Sequence, residues 1–338
     1  MSTQKDGDPL PVDSKEDTEN KSQSKISSPE VKTGIPPVIL PLLPYIDHST
    51  MPASRKRPLD EEQPSEQKPT TKKWRYPEPS NPLPTLSPSQ KAKIRVQAAK
   101  DTLKKAKEIV DSHESRFGFY DKFTHTKTRR LDDGKRKRPI CPKFSTTQVK
   151  VIDKDTLDAA LAIDTASDIM GFKKRQRVLV LNFANAYHPG GGWLDGDSAQ
   201  EEQICFRTTL GYFGLPREFY PMKSDEGIYV NNVALMRENE EKGFSWMWLD
   251  KPALLPALSV ISVAATHGPA LDSTQTKYKN ESERTLMEEK MRCILRVAGG
   301  NYHTKLVLGA LGCGVFCHPP GEVADCWAKV LVEEEFKG

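Results

Sequence analysis

Between Pro189 and Gln203 the chain reads PGGGWLDGDSAQEEQ. Two adjacent glutamates, Glu201 and Glu202, follow a run of three glycines, Gly190, Gly191 and Gly192. The segment after them, QICFRTTLGYF, reads as the start of a helix, where a single glutamate is an ordinary complement to the helix dipole. Two neighbours on a helix cannot point the same way, so they serve different contacts. A carboxyl group beside a sugar can protonate a leaving oxygen and then activate water, the chemistry of glycosidic cleavage. The glycines let the backbone approach a ligand, and their free N–H groups suit phosphate oxygens. A second glycine loop, GALGCGVF at Gly309–Phe316, precedes a helix whose N-terminus favours anions. Each loop alone is equally well a tight turn; together at one sheet edge they make a two-walled cradle for a diphosphate.

The elements around these loops must hold them at that edge. From Thr147 the texture alternates between strand and helix. TQVKVI is a strand, DKDTLDAALAIDTASDIM a helix with acidic and Thr residues at its start, and RVLVLNFA an apolar strand buried on both faces. GIYVNNVALM and ALSVISVAA are strands, NESERTLMEEKMRCILRVAGG is a helix stopped by glycine, and TKLVLGAL is a strand running into the second loop. This alternation predicts an α/β sheet covered on both faces, and such sheets bind ligands at the carboxyl ends of their strands. Ahead of it, a helix is expected from about Ser89. Its apolar stripe is Ile94, Ala98, Ala99, Leu103, Ala106, Ile109 and Val110. Asp153 and Asp155 read as helix caps, with an adenine contact as the alternative.

The 338 residues carry a net charge of +4, unevenly spread. Residues 91–150 hold 18 Lys and Arg against 7 Asp and Glu, whereas residues 151–338 hold 20 against 26. No apolar run reaches the roughly 18 residues that span a bilayer, and the N-terminus has no apolar core of a secretory signal. The six cysteines form no CxxC and no zinc spacing, which predicts reduced thiols and no metal site. Residues 1–88, rich in Pro, Ser, Glu and Lys, predict a disordered tail. VILPLLPYI is its one apolar patch, with a docking motif as the alternative reading. Basic clusters at Arg55–Arg57 and Lys72–Arg75 are either a bipartite nuclear-import signal or a solvated charge run. A third, at Lys127–Pro139, is an import signal, a polyanion contact or a charged loop.

GGGWLDGDSAQEE, with seven residues between GGG and QEE, resembles the signature of the microbial-type poly(ADP-ribose) glycohydrolases, a branch of the macrodomain superfamily. LNFANAYHP before it and LVLGALGCGVFCHPP after it resemble further family segments, in the expected order. The resemblance covers about residues 90–338. It implies an α/β fold, a three-layer α/β/α macrodomain with a central mixed sheet and an N-terminal helical extension at 89–145 ahead of a core at 146–338. It implies that Glu202 is the catalytic acid/base, kept protonated by poor solvation and its acidic neighbour, and that Glu201 orients the substrate ribose. Asn182 and Asn185, the latter the stronger candidate, would contact the terminal ribose. Gly190, Gly191 and Gly192 would shape the loop beside ribose and diphosphate, and Gln200 would hold the catalytic loop. Gly312, Cys313, Gly314, Val315 and Phe316 would form the diphosphate loop, with Phe316 against the terminal ribose.

The implied substrate is poly(ADP-ribose) or ADP-ribosylated protein, with ADP-ribosylated nucleic acid a further partner class. No cofactor, no metal and no membrane are expected, and a monomer in the nucleus or cytoplasm. A hydrolase for single ADP-ribose marks, a phosphatase for ADP-ribose 1''-phosphate and a non-catalytic ADP-ribose reader are the rival readings; the intact QEE disfavours the last two. Family members usually carry one more apolar strand after the last helix, internal to the sheet. None follows KVLVEEEFKG, so the last strand is expected to be missing and the sheet to be incomplete.

Overall fold

The computed structural model describes residues 37–41, 86–112, 120–124, 147–169, 177–247 and 255–336. The rest of the expected tail, with both of its basic clusters, and the third cluster at Lys127–Pro139 lie outside the described residues.

Seven strands form one mixed sheet. In chain order they are β1 (Pro37–Pro41), β2 (Tyr120–Thr124), β3 (Gln148–Ile152), β4 (Leu179–Phe183), β5 (Glu226–Ala234), β6 (Ala257–Val263) and β7 (Leu306–Val307). Their spatial order is β2-β5-β6-β4-β7-β1-β3. β5 runs antiparallel to both of its neighbours, and the other pairings are parallel. The helices are α1 (Pro88–Ser112), α2 (Thr156–Ile169), α3 (Gln200–Arg207), α4 (Glu281–Gly300) and α5 (Pro320–Leu331).

β4 lies at the centre, and its side chains alternate between two cores. Val178 and Val180 belong to the core shared with α1, α2 and α3; Leu179 and Leu181 belong to the core shared with α4 and α5. β6 splits in the same way, with Leu258 and Val260 on one face and Ile261 and Val263 on the other. Apolar side chains on both faces of a strand are what two covered faces require. The result is the three-layer α/β/α arrangement.

Three local outcomes differ from the expectation. TKLVLGAL supplies only the two residues of β7, because the backbone after Val307 leaves the ladder for the second glycine loop. Tyr120–Thr124, inside the expected helical extension, is a strand. It pairs along the full length of its backbone with Glu226–Val230 and buries only Phe123. Within the expected tail, Pro37–Pro41 is also a strand. It runs parallel between β7 and β3, with Ile39 opposite both Val307 and Lys150. Backbone from the apolar patch near the N-terminus thus forms an internal strand of the sheet.

α1 begins with a reciprocal cap. Ser87 Oγ accepts the Gln90 amide at 3.3 Å, and Gln90 Oε1 accepts the Ser87 amide at 2.8 Å. The helix buries Ala98, Ala99, Thr102, Ala106 and Ile109. Ile94 and Leu103, expected in the stripe, are exposed, and Thr102 takes the place of Leu103. The reason is polar. Thr102 Oγ1 donates to the Phe206 carbonyl at 2.7 Å and accepts from Arg237 Nε at 2.8 Å, which sets the rotation of α1 over α3.

Candidate active site

The strand end of β4, the glycine loop and the first turn of α3 meet at one point. Ala199 is extended, and Gln200, Glu201 and Glu202 form the first turn of α3. Each side chain takes a different route. Gln200 reaches the backbone of β4, where its Nε2 donates to the Leu181 carbonyl at 2.7 Å and its Oε1 accepts the Phe183 amide at 2.9 Å. It thus ties the first turn of α3 to the central strand. Glu201 turns to the same strand end. Its Oε2 accepts the Asn185 amide at 2.7 Å and its Oε1 accepts Asn182 Nδ2 at 3.2 Å. Glu202 turns to the glycines, and its Oε1 accepts the Gly192 amide at 2.9 Å. The divergence expected of adjacent helical residues is what the geometry has.

Both glutamates are buried, at 2% and 7% exposure. Burial pushes the Glu201 carboxyl up to about 8 against the hydrogen bonds from Asn185 and Asn182, which favour the charged form; the nearby Glu202 adds to the rise. Glu202 Oε2 is buried and has no hydrogen-bond partner among the described residues.

The glycines are demanded by contact. Gly191 has φ +60°, and a Cβ there would sit 2.1 Å from Glu202 Oε1. Gly190 has φ +76°, and a Cβ there would meet the Trp193 ring at 2.7 Å and Cys205 Sγ at 3.0 Å. Trp193 is almost wholly buried beneath the loop and meets Phe206 edge-on. It is a floor for the loop, and nothing in its type or spacing marked it out.

The two asparagines brace the end of β4 and the turn that follows it. Asn182 is fully buried, and its Nδ2 is shared between Glu201 and Ser262 Oγ at 3.0 Å. Asn185 Oδ1 is engaged by the Tyr187 and His188 amides at 2.8 and 3.1 Å, which closes the turn into the glycine loop. Its link to the site is through its backbone.

Beside Gln200 opens a cavity of about 470 Å3, within the range of small-molecule sites. Its walls are Asp153–Leu157 at the start of α2, Phe183, Ser198–Gln200 and the second glycine loop with Gly312, Gly314, Val315 and Phe316. Cys313 sits half-buried in that loop, its thiol pushed up to about 12 by burial. Phe316 packs on His267 with ring centroids 5.2 Å apart. The two glycine loops follow the parallel neighbours β4 and β7, and the second lines this cavity while Gly190–Gly192 do not. Asp155 caps α2 by accepting the Leu157 and Asp158 amides, and it also lines the cavity. Asp155 and Asp158 hold the fully buried Arg207 at 2.5 and 2.6 Å. Arg207 locks the end of α3 to the start of α2; its partners lie about fifty residues away, so no local pattern exposed it.

Residues 119–238 match the family model of the microbial-type PARG catalytic domain. That stretch includes the glycine loop and the first turn of α3. Among solved structures, poly(ADP-ribose) glycohydrolase from Deinococcus radiodurans in complex with ADP-ribose is similar, with 26% identity, a TM-score of 0.52, and coverage of 67% of this chain and 85% of that one. Poly(ADP-ribose) glycohydrolase from Thermomonospora curvata shares the fold at 24% identity and TM-score 0.58, over 72% of this chain and 89% of that one; it is also known bound to the inhibitor ADP-HPD. No curated protein matches this chain at a significant level. Gly190–Gly192 and the Gln200–Glu202 turn fall inside the stretch that matches the family model, whereas α1 and the Gly312–Phe316 loop lie outside it.

Proposed function

We propose that this chain is a poly(ADP-ribose) glycohydrolase that uses Glu202 as its single acid/base. One observation carries the assignment: Glu202 Oε1 is pinned by the Gly192 amide while Oε2 is buried without a partner. Because Oε1 already accepts an N–H, the transferable proton sits on Oε2. Glu202 donates it to the departing ribose oxygen as the bond from the anomeric carbon breaks. The oxocarbenium-like centre is stabilised by the substrate's own diphosphate. Water then adds to that carbon and returns a proton to Glu202, so the enzyme is regenerated. Glu201, neutral near pH 7, sets the depth of the turn and faces the ribose without adding a second charge. Gly190–Gly192 let the sugar approach, and the cavity beside Gln200 takes the rest of the ADP-ribose unit.

Replacing Glu202 with Gln keeps the amide contact and the shape but removes the proton. Hydrolysis of poly(ADP-ribose) by Glu202→Gln is expected to fall by about 10²–10⁴-fold, with ADP-ribose binding within a few-fold. Turnover close to wild type would remove Glu202 from the mechanism. The same assay on mono-ADP-ribosylated protein and on ADP-ribose 1''-phosphate separates polymer cleavage from the rival activities. Nuclear import through Arg55–Arg57 and Lys72–Arg75 is a separate proposal, which rests on their bipartite spacing. A fluorescent fusion with Arg55, Lys56, Arg57, Lys72, Lys73 and Arg75 replaced by alanine, which leaves Pro37–Pro41 intact, is expected to shift to the cytoplasm, and an unchanged distribution refutes it.

A further inference from the structure

The second glycine loop is held in shape by one imidazole. Gly312 has φ +81°, and a Cβ there would sit 2.5 Å from His318 Cδ2 and 2.8 Å from the Ala265 Cβ. The His318 ring thus fills the space beneath the loop's first turn, and it is nearly fully buried, at 3% exposure. Its backbone amide donates to the Gly312 carbonyl at 3.0 Å, so the loop closes on itself from Gly312 to His318. Both ring nitrogens are engaged. Nε2 lies 2.7 Å from the Thr266 carbonyl, and Nδ1 lies 2.7 Å from the Tyr278 hydroxyl.

These partners fix the tautomer. A carbonyl only accepts, so Nε2 carries the hydrogen. A neutral ring then accepts at Nδ1, and the Tyr278 O–H donates. Burial lowers the pKa of His318 from its ordinary value, which keeps the ring in this neutral form. The three anchors come from separate places: Thr266 just after β6, Tyr278 ahead of α4, and Gly312 after β7. The Gly268 amide donates to the Phe316 carbonyl at 3.1 Å and clips the far end of the loop to the same post-β6 segment.

We propose that His318 is the positioning residue of the Gly312–Phe316 loop, a neutral two-sided hydrogen-bond lock that holds the loop in the shape that receives the diphosphate of an ADP-ribose unit. This rests on the proposed function, because the loop's ligand comes from that reading. His318 itself touches neither the cavity nor the catalytic pair. Its effect is therefore expected on substrate binding and not on the proton transfer by Glu202.

The experiment compares wild type with His318→Leu, His318→Gln and Tyr278→Phe. Poly(ADP-ribose) hydrolysis gives KM and kcat, and calorimetry gives binding of ADP-ribose and of adenosine, which has no diphosphate. With two buried hydrogen bonds removed, His318→Leu is expected to raise KM and the ADP-ribose Kd about tenfold or more. Its kcat is expected to stay within about threefold, and its adenosine binding to change little. Tyr278→Phe removes one arm and is expected to fall between; Gln, which carries one donor and one acceptor, is expected to rescue in part. If the Leu variant does not fold, Tyr278→Phe and His318→Gln decide. Unchanged KM in folded variants, or equal losses for ADP-ribose and adenosine, overturns the proposal. Wild-type protein that neither binds ADP-ribose nor cleaves polymer overturns the functional reading and the loop's role with it. Wild-type protein that does both, beside unaffected variants, overturns His318 alone.

Discussion

A methyl group on Gly191 would stand 2.1 Å from Oε1 of Glu202, closer than any non-bonded pair can sit. The same residue has φ +60°, which strains any L side chain. Gly191→Ala must therefore push the carboxyl off the Gly192 amide. We expect kcat to fall by about 10²-fold or more, the scale of losing a positioned acid/base. Gly300→Ala, at the end of α4 with nothing within 4 Å, is the matched control and is expected to behave as wild type. Comparable activity in both variants would show that Glu202 tolerates displacement.

Glu201 makes stability depend on pH in a predictable sense. Its carboxyl in the folded protein titrates near 8, above the ordinary 4.5. Between those values the folded protein holds a proton that the unfolded chain has released. Burial of Glu201 therefore costs little below pH 4.5 and progressively more up to about pH 8. Glu201→Gln has no such cost. The melting temperature of the variant relative to wild type is expected to rise from pH 5 to pH 8 by at least 2–4 °C, which corresponds to about 1 kcal/mol in a domain of this size. A variant-minus-wild-type difference that stays constant or falls over that range would contradict the burial of this carboxyl.

Arg207 is fully buried, and both of its carboxylate partners are part-exposed. Removing one partner of a buried ion pair costs about 3–5 kcal/mol, and exposure of Asp155 and Asp158 puts this case at the lower end. Arg207→Met is expected to lower the urea midpoint accordingly and to weaken ADP-ribose binding, because Asp155 lines the cavity. An unchanged midpoint would mean that the start of α2 holds its place without the pair.

Thr102→Val keeps the shape of the side chain and deletes its hydroxyl. The Phe206 carbonyl and Arg237 Nε then lose a buried partner, at about 1–3 kcal/mol per group. Because Phe206 lies on the catalytic helix, kcat is expected to fall along with stability. A loss under about 0.5 kcal/mol, the scatter of neutral surface changes, would show that α1 is held by its alanines alone.

What could be read in the sequence depended on whether a residue's reason for being there is local. β4 was legible because every position of LVLNF meets a covered face. The divergence of Glu201 and Glu202 was legible because adjacency on a helix forces it. β2 was not, since YDKFT buries one side chain and owes its strand to backbone pairing with β5. At Asn185 no spacing reveals that the side-chain oxygen closes a turn while the main-chain amide meets Glu201. Arg207, Trp193 and His318 draw their roles from partners remote in the chain. A local reading has no means of pairing them.

The packing of α1 sets the size of the smallest piece that can turn over substrate. Arg95 Nη1 donates to the Gly196 carbonyl at 2.7 Å, and its Nε holds Glu240, whose other oxygen takes Gln203 Nε2 at 2.8 Å. A helix that carries no motif residue thus grips the glycine loop and the catalytic helix at once. A fragment trimmed to residues 119–238 would keep GGG and QEE intact yet lose this grip on one side and the Gly312–Phe316 loop on the other. The signature thus depends for its shape on a brace that lies outside it in the chain.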